Sequence, residues 1–399
     1  MSRTVFFLDN LSHGPHSSLT VKKSSQQDTW PVDNMLGHFF GFPFDDVYNV
    51  KHLSLFKKED KKYLISFIHM PVVSAPYLSN EAIQALQSDD NFYLVLFSVH
   101  EYIITPKDLA RNLQKRSIPH NKVVVLCSNL EADNKVLEGV KYLAINFWES
   151  YSRVHLKTLP GSTIVSAQVR LDTLDSAKKK FLSLNRNIKP HRIWWYYAVL
   201  KTEMVNQSHI SFHLPSVNKA EFETMCKKEW VLKRIPSDLH KDFEKSAARK
   251  MFTKRLDTLS RNYLINYNDS IKPFYLDSVL SIVTESESTK NFITEKTYKA
   301  IANLHPFFII GNPDQHVLLR ARGYHTFEDL FGVEQVMDYS HAVQMLENIK
   351  AMDLTKLKDD IREKYFDKLL HNQQLFLNRR NNWQTIETAI FKALGTETF

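Results

Sequence analysis

Residues Ser278 to Phe327 read SVLSIVTESESTKNFITEKTYKAIANLHPFFIIGNPDQHVLLRARGYHTF. An apolar run without alternation, Asp277–Thr284, ends at Thr284-Glu285. Such a run is the mark of a strand buried on both faces. A polar loop follows, then a helical pattern from Glu295 to Asn303 with Thr294 in the N-cap position. The next apolar run, Pro306–Ile310, stops at the turn Gly311-Asn312-Pro313. Strand, helix, strand with buried strands predicts a parallel α/β domain.

The same alternation extends outward. Upstream runs are Thr4–Leu8, Tyr63–Ile68, Phe92–Val99, Lys122–Cys127 and Tyr142–Asn146, with helical patterns such as Ser79–Gln87 and Pro106–Gln114 between them. A polar stretch and the triplet Lys178-Lys179-Lys180 lead into Phe181–Leu184, a long helix from about His191 to Thr202, and the short strand His209–His213. A charged helical zone covers 219–260, a further short element is expected at His325–Phe327, and 355–394 reads as mostly helix. The predicted architecture is two Rossmann-like α/β domains facing across a cleft, residues 1–176 and 177–350, with a C-terminal helical segment, 351–399. No internal repeat or low-complexity tract is present.

Composition narrows the function. Nine glycines in 399 residues are few against an ordinary share of about 7%. The chain has no GxGxxG, GxxxxGK[ST] or GxSxG pattern. This argues against P-loop NTPases, glycine-fingerprint dehydrogenases and α/β-hydrolases. Phosphate binding would fall to charged side chains and helix N-termini. Two cysteines, Cys127 and Cys226, make no disulfide framework. No apolar run approaches the ~18 residues of a membrane span, and no leader pattern opens the chain, so a cytoplasmic protein is expected. No metal site is expected. The formal charge of +8 suits an anionic partner.

The first turn of the helix after Thr294 favours an anion. Lys296 adds a full charge for phosphate, and the acceptor-only Glu295 suits a pair of sugar hydroxyls. Asn185, Arg186 and Arg192 sit where the first strand of the second domain delivers them to the same edge, and arginine forks match phosphate oxygens. Ordinary structural roles compete. Thr294-Glu295 is also a common capped helix start, Glu295 and Lys299 can pair at i,i+4, and Trp194–Tyr197 reads as helix core. Three phosphate-suited elements at strand C-termini within one domain tip the balance to a site.

This pattern resembles the donor half of GT-B nucleotide-sugar glycosyltransferases, the fucosyltransferase-like group in particular. The matching elements are Thr284-Glu285, Thr294-Glu295-Lys296, His305–Gly311 and Gly323-Tyr324 with Phe327. The likeness covers roughly 180–345. It implies that Glu295 holds ribose and Lys296 phosphate, with Glu285, Thr294 and Lys299 in the same donor site. Phe181–Arg186 with His191-Arg192 resembles the start of glycosyltransferase-like proteins, several from bacteriophages. That implies a nucleotide-sugar donor and an acceptor in nucleic acid or glycan; together with the basic charge balance, the expected acceptor is 5-hydroxymethylated cytosine in duplex DNA and the expected donor a UDP-sugar. A glycan or lipid-linked acceptor is the alternative, and a non-catalytic nucleic-acid-binding protein the alternative of another class. The first domain's strand ends supply the candidate base, Glu101 or His100 after Phe92–Phe97, with Asp9 and Glu131 behind them. The acidic pairs Asp45-Asp46 and Asp89-Asp90 lack the DxD spacing of metal-dependent sugar transferases.

Overall fold

The computed structural model describes residues 5–8, 49–52, 63–66, 80–88, 90, 92–98, 106–158, 164–185, 189–212, 219–246, 271–288, 290–379 and 383–395. The chain divides into two compact units, Met1–Val154 with Arg380–Phe399, and His155–Arg379. Both are α/β, built on parallel sheets.

The first unit contains β1 (Val5–Leu8), β2 (Asn49–His52), β3 (Tyr63–Ser66), β4 (Leu94–Ser98), β5 (Val123–Cys127), β6 (Val136–Leu137) and β7 (Val140–Ala144). Their spatial order is β2-β1-β3-β4-β5-β7-β6. Every pairing is parallel except the short β6–β7 ladder. All five residues of β5 are buried, as a strand covered on both faces requires. Leu109 and Leu113 of the helix Pro106–Lys115 close over Leu94, Leu96, Val123 and Val125. The last helix, Trp383–Leu394, packs on β5 and β7 and buries Ile390.

The second unit carries β8 (Lys179–Asn185), β9 (Ser208–Phe212), β10 (Ser278–Thr284) and β11 (Phe307–Ile310), all parallel, in the order β11-β10-β8-β9. The chain steps from β8 outward to β9, returns past β8 to β10, and continues to β11. The winding direction therefore reverses between β8 and β10. Right-handed crossovers running in opposite directions put the helices Pro190–Lys201 and Glu295–Ala302 on opposite faces.

Side-chain alternation in β8 follows from this. The Phe181 ring lies 6.0 Å from Trp195, and Ser183 Oγ accepts from Trp195 Nε1 at 3.1 Å. Leu182 points the other way, onto Ile271 and Tyr275. The helix Pro190–Lys201 is buried continuously from His191 to Val199, so Trp194–Tyr197 are core, as the sequence allowed. Tyr197 meets Tyr339 of the helix Tyr339–Ala351, with ring centres 5.1 Å apart. On the other face Tyr298 stacks on Phe376 of the helix Phe366–Asn378 at 5.5 Å.

Four details differ from the sequence reading. The division falls at 154/155 rather than 176/177. The helices through Asn378 belong with the second unit, and only the last helix returns to the first. Lys179 and Lys180 are part of β8. Lys180 runs inward and its Nζ donates to the carbonyls of Ile349, Lys350 and Met352, at 3.1, 2.8 and 2.7 Å, closing the C-terminus of the helix Tyr339–Ala351. Finally, His325–Phe327 adds no strand beside β11. His316 covers that edge instead, accepting from Ile309 N at its Nε2 at 3.1 Å. Among the described residues, no helix is long and apolar enough to cross a membrane.

Candidate functional site

Ligands of open parallel sheets bind beyond the strand C-termini where the winding reverses. In the second unit that point lies between β8 and β10. Asn185 ends β8 and Thr284 ends β10, and the Thr284 hydroxyl donates to Asn185 Oδ1. Asn185 N in turn donates to Ser211 Oγ at 3.0 Å, which ties β9 to the same edge.

Glu285 follows β10 and is fully buried. Its carboxylate receives four donors: Oε1 accepts from Thr294 N at 3.1 Å and Thr297 Oγ1 at 2.6 Å, and Oε2 from Thr294 Oγ1 at 2.5 Å and Ser286 N at 3.2 Å. A carboxylate offers about four lone-pair sites, so the protein uses them all. Glu285 thus fastens the start of the helix Glu295–Ala302 to the end of β10. Thr294 occupies the N-cap position, but its hydroxyl makes no capping bond to the helix and goes to Glu285.

Lys296 leaves the first turn of that helix. Its ammonium has three N–H bonds and three acceptors: Glu295 Oε1 at 2.9 Å, and Thr294 Oγ1 and Ser286 Oγ at 3.0 Å each. The Glu295 and Lys296 side chains remain partly open, at 16% and 22% exposure. Burial pushes the Glu295 carboxyl up, but Lys296 and Lys299 outweigh it and hold its pKa at about 2. Glu295 is therefore charged at any ordinary pH. Lys299 is buried one turn further along.

The first turn of the helix Pro190–Lys201 completes the edge. Arg192 is buried, and its Nη2 donates to the carbonyls of Thr284 at 3.0 Å and Glu285 at 3.1 Å. Burial lowers its pKa to about 10 against the opposing pull of Glu285 and Glu295. His191 Nε2 lies 2.7 Å from the Glu285 carbonyl. A carbonyl only accepts, so Nε2 carries the proton. Burial first, then Arg192, pulls the His191 pKa down to about 3. The imidazole is therefore neutral, and its Nδ1 is a buried acceptor without a partner among the described residues.

The loop into the helix has a second anchor. Gln315, fully buried, donates from Nε2 to the carbonyls of Phe292 at 2.8 Å and Lys290 at 3.3 Å. Phe292 and Ile293 are themselves buried.

Of the residues flagged from sequence, Asn185, Arg192, Glu285, Thr294, Glu295, Lys296 and Lys299 converge on this edge. Their tasks differ from those expected. Arg192 holds main-chain carbonyls and Glu285 holds protein donors, so neither has the free polar face of a ligand contact. Glu295 and Lys296 stay partly open to solvent, and the bond between them is the one a ligand can replace. Arg186, His100, Glu101 and Asp9 lie outside the described residues. Glu131 sits half-buried in the turn after β5. Ser286, Thr297, His191 and Gln315 were missed. Small polar residues give no signal until the chain closes around the carboxylate or carbonyl they serve. A surface depression lined by Thr173, Ser176, Lys272 and Asp277 lies at the other end of the strands, away from all of them. Compared with models of known families and with curated proteins, the chain matches none.

Proposed function

We propose that the chain is a glycosyltransferase that moves a sugar from a nucleotide-sugar donor to an acceptor hydroxyl. In this reading the two parallel-sheet units are the two Rossmann-like halves of a GT-B enzyme, and the second unit binds the donor. The observation that carries it is the Glu295–Lys296 pair at the start of one helix, at the sheet's switch point. Lys296 meets the diphosphate, and Glu295 accepts from two ribose hydroxyls. Binding replaces one bond within the pair: Glu295 turns to the sugar hydroxyls and releases an N–H of Lys296 to phosphate.

The acceptor oxygen attacks the anomeric carbon as the bond from that carbon to the diphosphate oxygen breaks. The nucleoside diphosphate leaves with the bonding electrons, its added charge met by Lys296 and the helix N-terminus. The acceptor's proton passes to a base of the first unit, for which His100 and Glu101 are the candidates. The formal charge of +8 favours an anionic acceptor, and duplex DNA carrying 5-hydroxymethylated cytosine is the acceptor we propose, with a UDP-sugar as donor.

The test is release of nucleoside diphosphate from a panel of nucleotide sugars, with and without that DNA. Release that needs the modified DNA is the expected result. DNA-independent slow hydrolysis keeps the transferase and moves the acceptor to a glycan or lipid-linked sugar. Lys296→Ala is expected to lower kcat/KM by about a hundredfold or more, the scale of losing a charge-assisted contact to the leaving group. Absence of both release and binding for every donor in the panel would overturn the reading.

A further inference from the structure

We propose that Glu285 is a positioning residue that sets the place of the Lys296 ammonium through the hydroxyl of Thr294. The inference rests on the nucleotide-sugar reading only for the identity of the ligand that Lys296 meets.

The direction of the relay follows from what each group can do. A carboxylate bonded as Glu285 is accepts only, and an ammonium donates only. A hydroxyl between them has one proton and two lone pairs. The Thr294 proton must therefore lie toward Glu285 Oε2, at 2.5 Å, which turns a lone pair toward Lys296 Nζ, at 3.0 Å. No choice of tautomer or rotamer reverses this order while both contacts persist. Glu285 also fixes the Thr294 main chain through Thr294 N and the next turn through Thr297 Oγ1. The hydroxyl thus has both its position and its polarity set by one buried carboxylate.

Lys296 gains from this arrangement. Its remaining acceptors are Ser286 Oγ, whose own main-chain N–H is also held by Glu285, and Glu295. Two of the three bonds on the ammonium therefore trace back to Glu285. When a ligand draws Glu295 away, those two bonds keep a flexible side chain in one place, with one N–H free. Holding the cation before the ligand arrives removes a cost that binding would otherwise carry. Glu285 touches no ligand in this arrangement, and its effect on binding passes entirely through Lys296 and the first turn.

Thr294→Val keeps the side-chain shape and removes the hydroxyl, so it tests the relay with little change in packing. Titration of the full chain with uridine diphosphate is expected to show about tenfold weaker binding, the scale of one hydrogen bond to a charged group. Thr294→Ser is expected to restore it. In a Lys296→Met background, Thr294→Val is expected to cost nothing further. An equal loss in that background, or failure of serine to restore binding, overturns the relay.

A second readout needs no ligand. The 15N signal of the Lys296 ammonium, assigned by its disappearance in Lys296→Arg, reports how firmly the group is held. Thr294→Val and Glu285→Gln are expected to broaden or shift it, and Thr294→Ser to leave it near that of the parent. A signal indifferent to both substitutions overturns the relay, whatever ligand binds. If the signal responds but the chain binds no nucleoside diphosphate, the relay stands and the nucleotide-sugar reading falls.

Discussion

Arg170, Lys180 and Arg192 are buried cations that donate to main-chain carbonyls through their terminal nitrogens. Arg170 is wholly inside, with Nη1 on the carbonyls of Tyr275 and Ser278 at 3.1 and 3.0 Å and Nη2 on that of Val279 at 3.1 Å. Beside it, His305 Nε2 lies 2.6 Å from the Tyr275 carbonyl and Nδ1 lies 3.0 Å from Ser281 Oγ. Burial and then the Arg170 charge hold His305 neutral, well below its ordinary pKa. His191 is neutral for the same kind of reason, with Arg192, Lys189 and Lys296 as its cations. This has a sign in pH. In the unfolded chain both imidazoles titrate near ~6.5, whereas the native state refuses the proton, so stability is full above that pH and falls below it. Between about pH 6.5 and about pH 5, His191 alone is expected to cost roughly 2 kcal/mol. Denaturant midpoints taken across that window should fall, and His191→Gln should flatten the slope. A slope unchanged in that variant would show that the ring is not neutral in the native state.

The loop 285–294 is held at one end by the Glu285 carboxylate and further along by the Gln315 amide. A methyl group added at Gly311 would run into Gln315 Oε1. Gly311→Ala is therefore expected to push Gln315 off the carbonyls of Phe292 and Lys290 and to destabilise the chain by about 1–3 kcal/mol, the usual scale of overpacking. Gln315→Ala removes the obstacle, so the double variant should be more stable than the sum of the single losses. Additive losses in chemical denaturation would count against the clash. Strands β5 and β10 and the middle of β8 were legible in the sequence because residues covered on both faces leave largely apolar runs. The helix start at Thr294-Glu295-Lys296 was legible too, since cap and charge are local signals. Edge features were not. The cover of β11 by His316 and the end closure by Lys180 each depend on a partner that sequence order does not reveal. The role of Glu285 was misread because a carboxylate after a strand looks the same whether a ligand or the protein fills it. Its four donors sit on Ser286, Thr294 and Thr297, and only the folded loop brings the last two back to it.

At the scale of the whole molecule, one winding pattern occurs twice. The first four strands of each unit share the order second-first-third-fourth, as β2-β1-β3-β4 and as β9-β8-β10-β11 read from its other end. The sequence shows no repeat because handedness and burial dictate this order, and many apolar sequences satisfy both. The units also differ in how they are completed. The second is built from one continuous segment, His155–Arg379, whereas the first needs Arg380–Phe399 from the far end of the chain. The helix Trp383–Leu394 lies on β5 and β7 and buries Ile390 there, so removing residues 380–399 strips cover from those strands of the first unit. Apolar surface returned to water costs about 25 cal/mol per Å2, and the cost of uncovering β5 and β7 falls on the first unit. Hydrogen exchange on a chain ending at Arg379 is expected to show lost protection along β5, Val123–Cys127, with protection kept along β10, Ser278–Thr284. Binding of uridine diphosphate should survive the truncation, because every described residue of the candidate site lies in the second unit, while sugar transfer should fail. Equal loss of protection in both strands would mean that the two units fold as one cooperative body and that the last helix supports both.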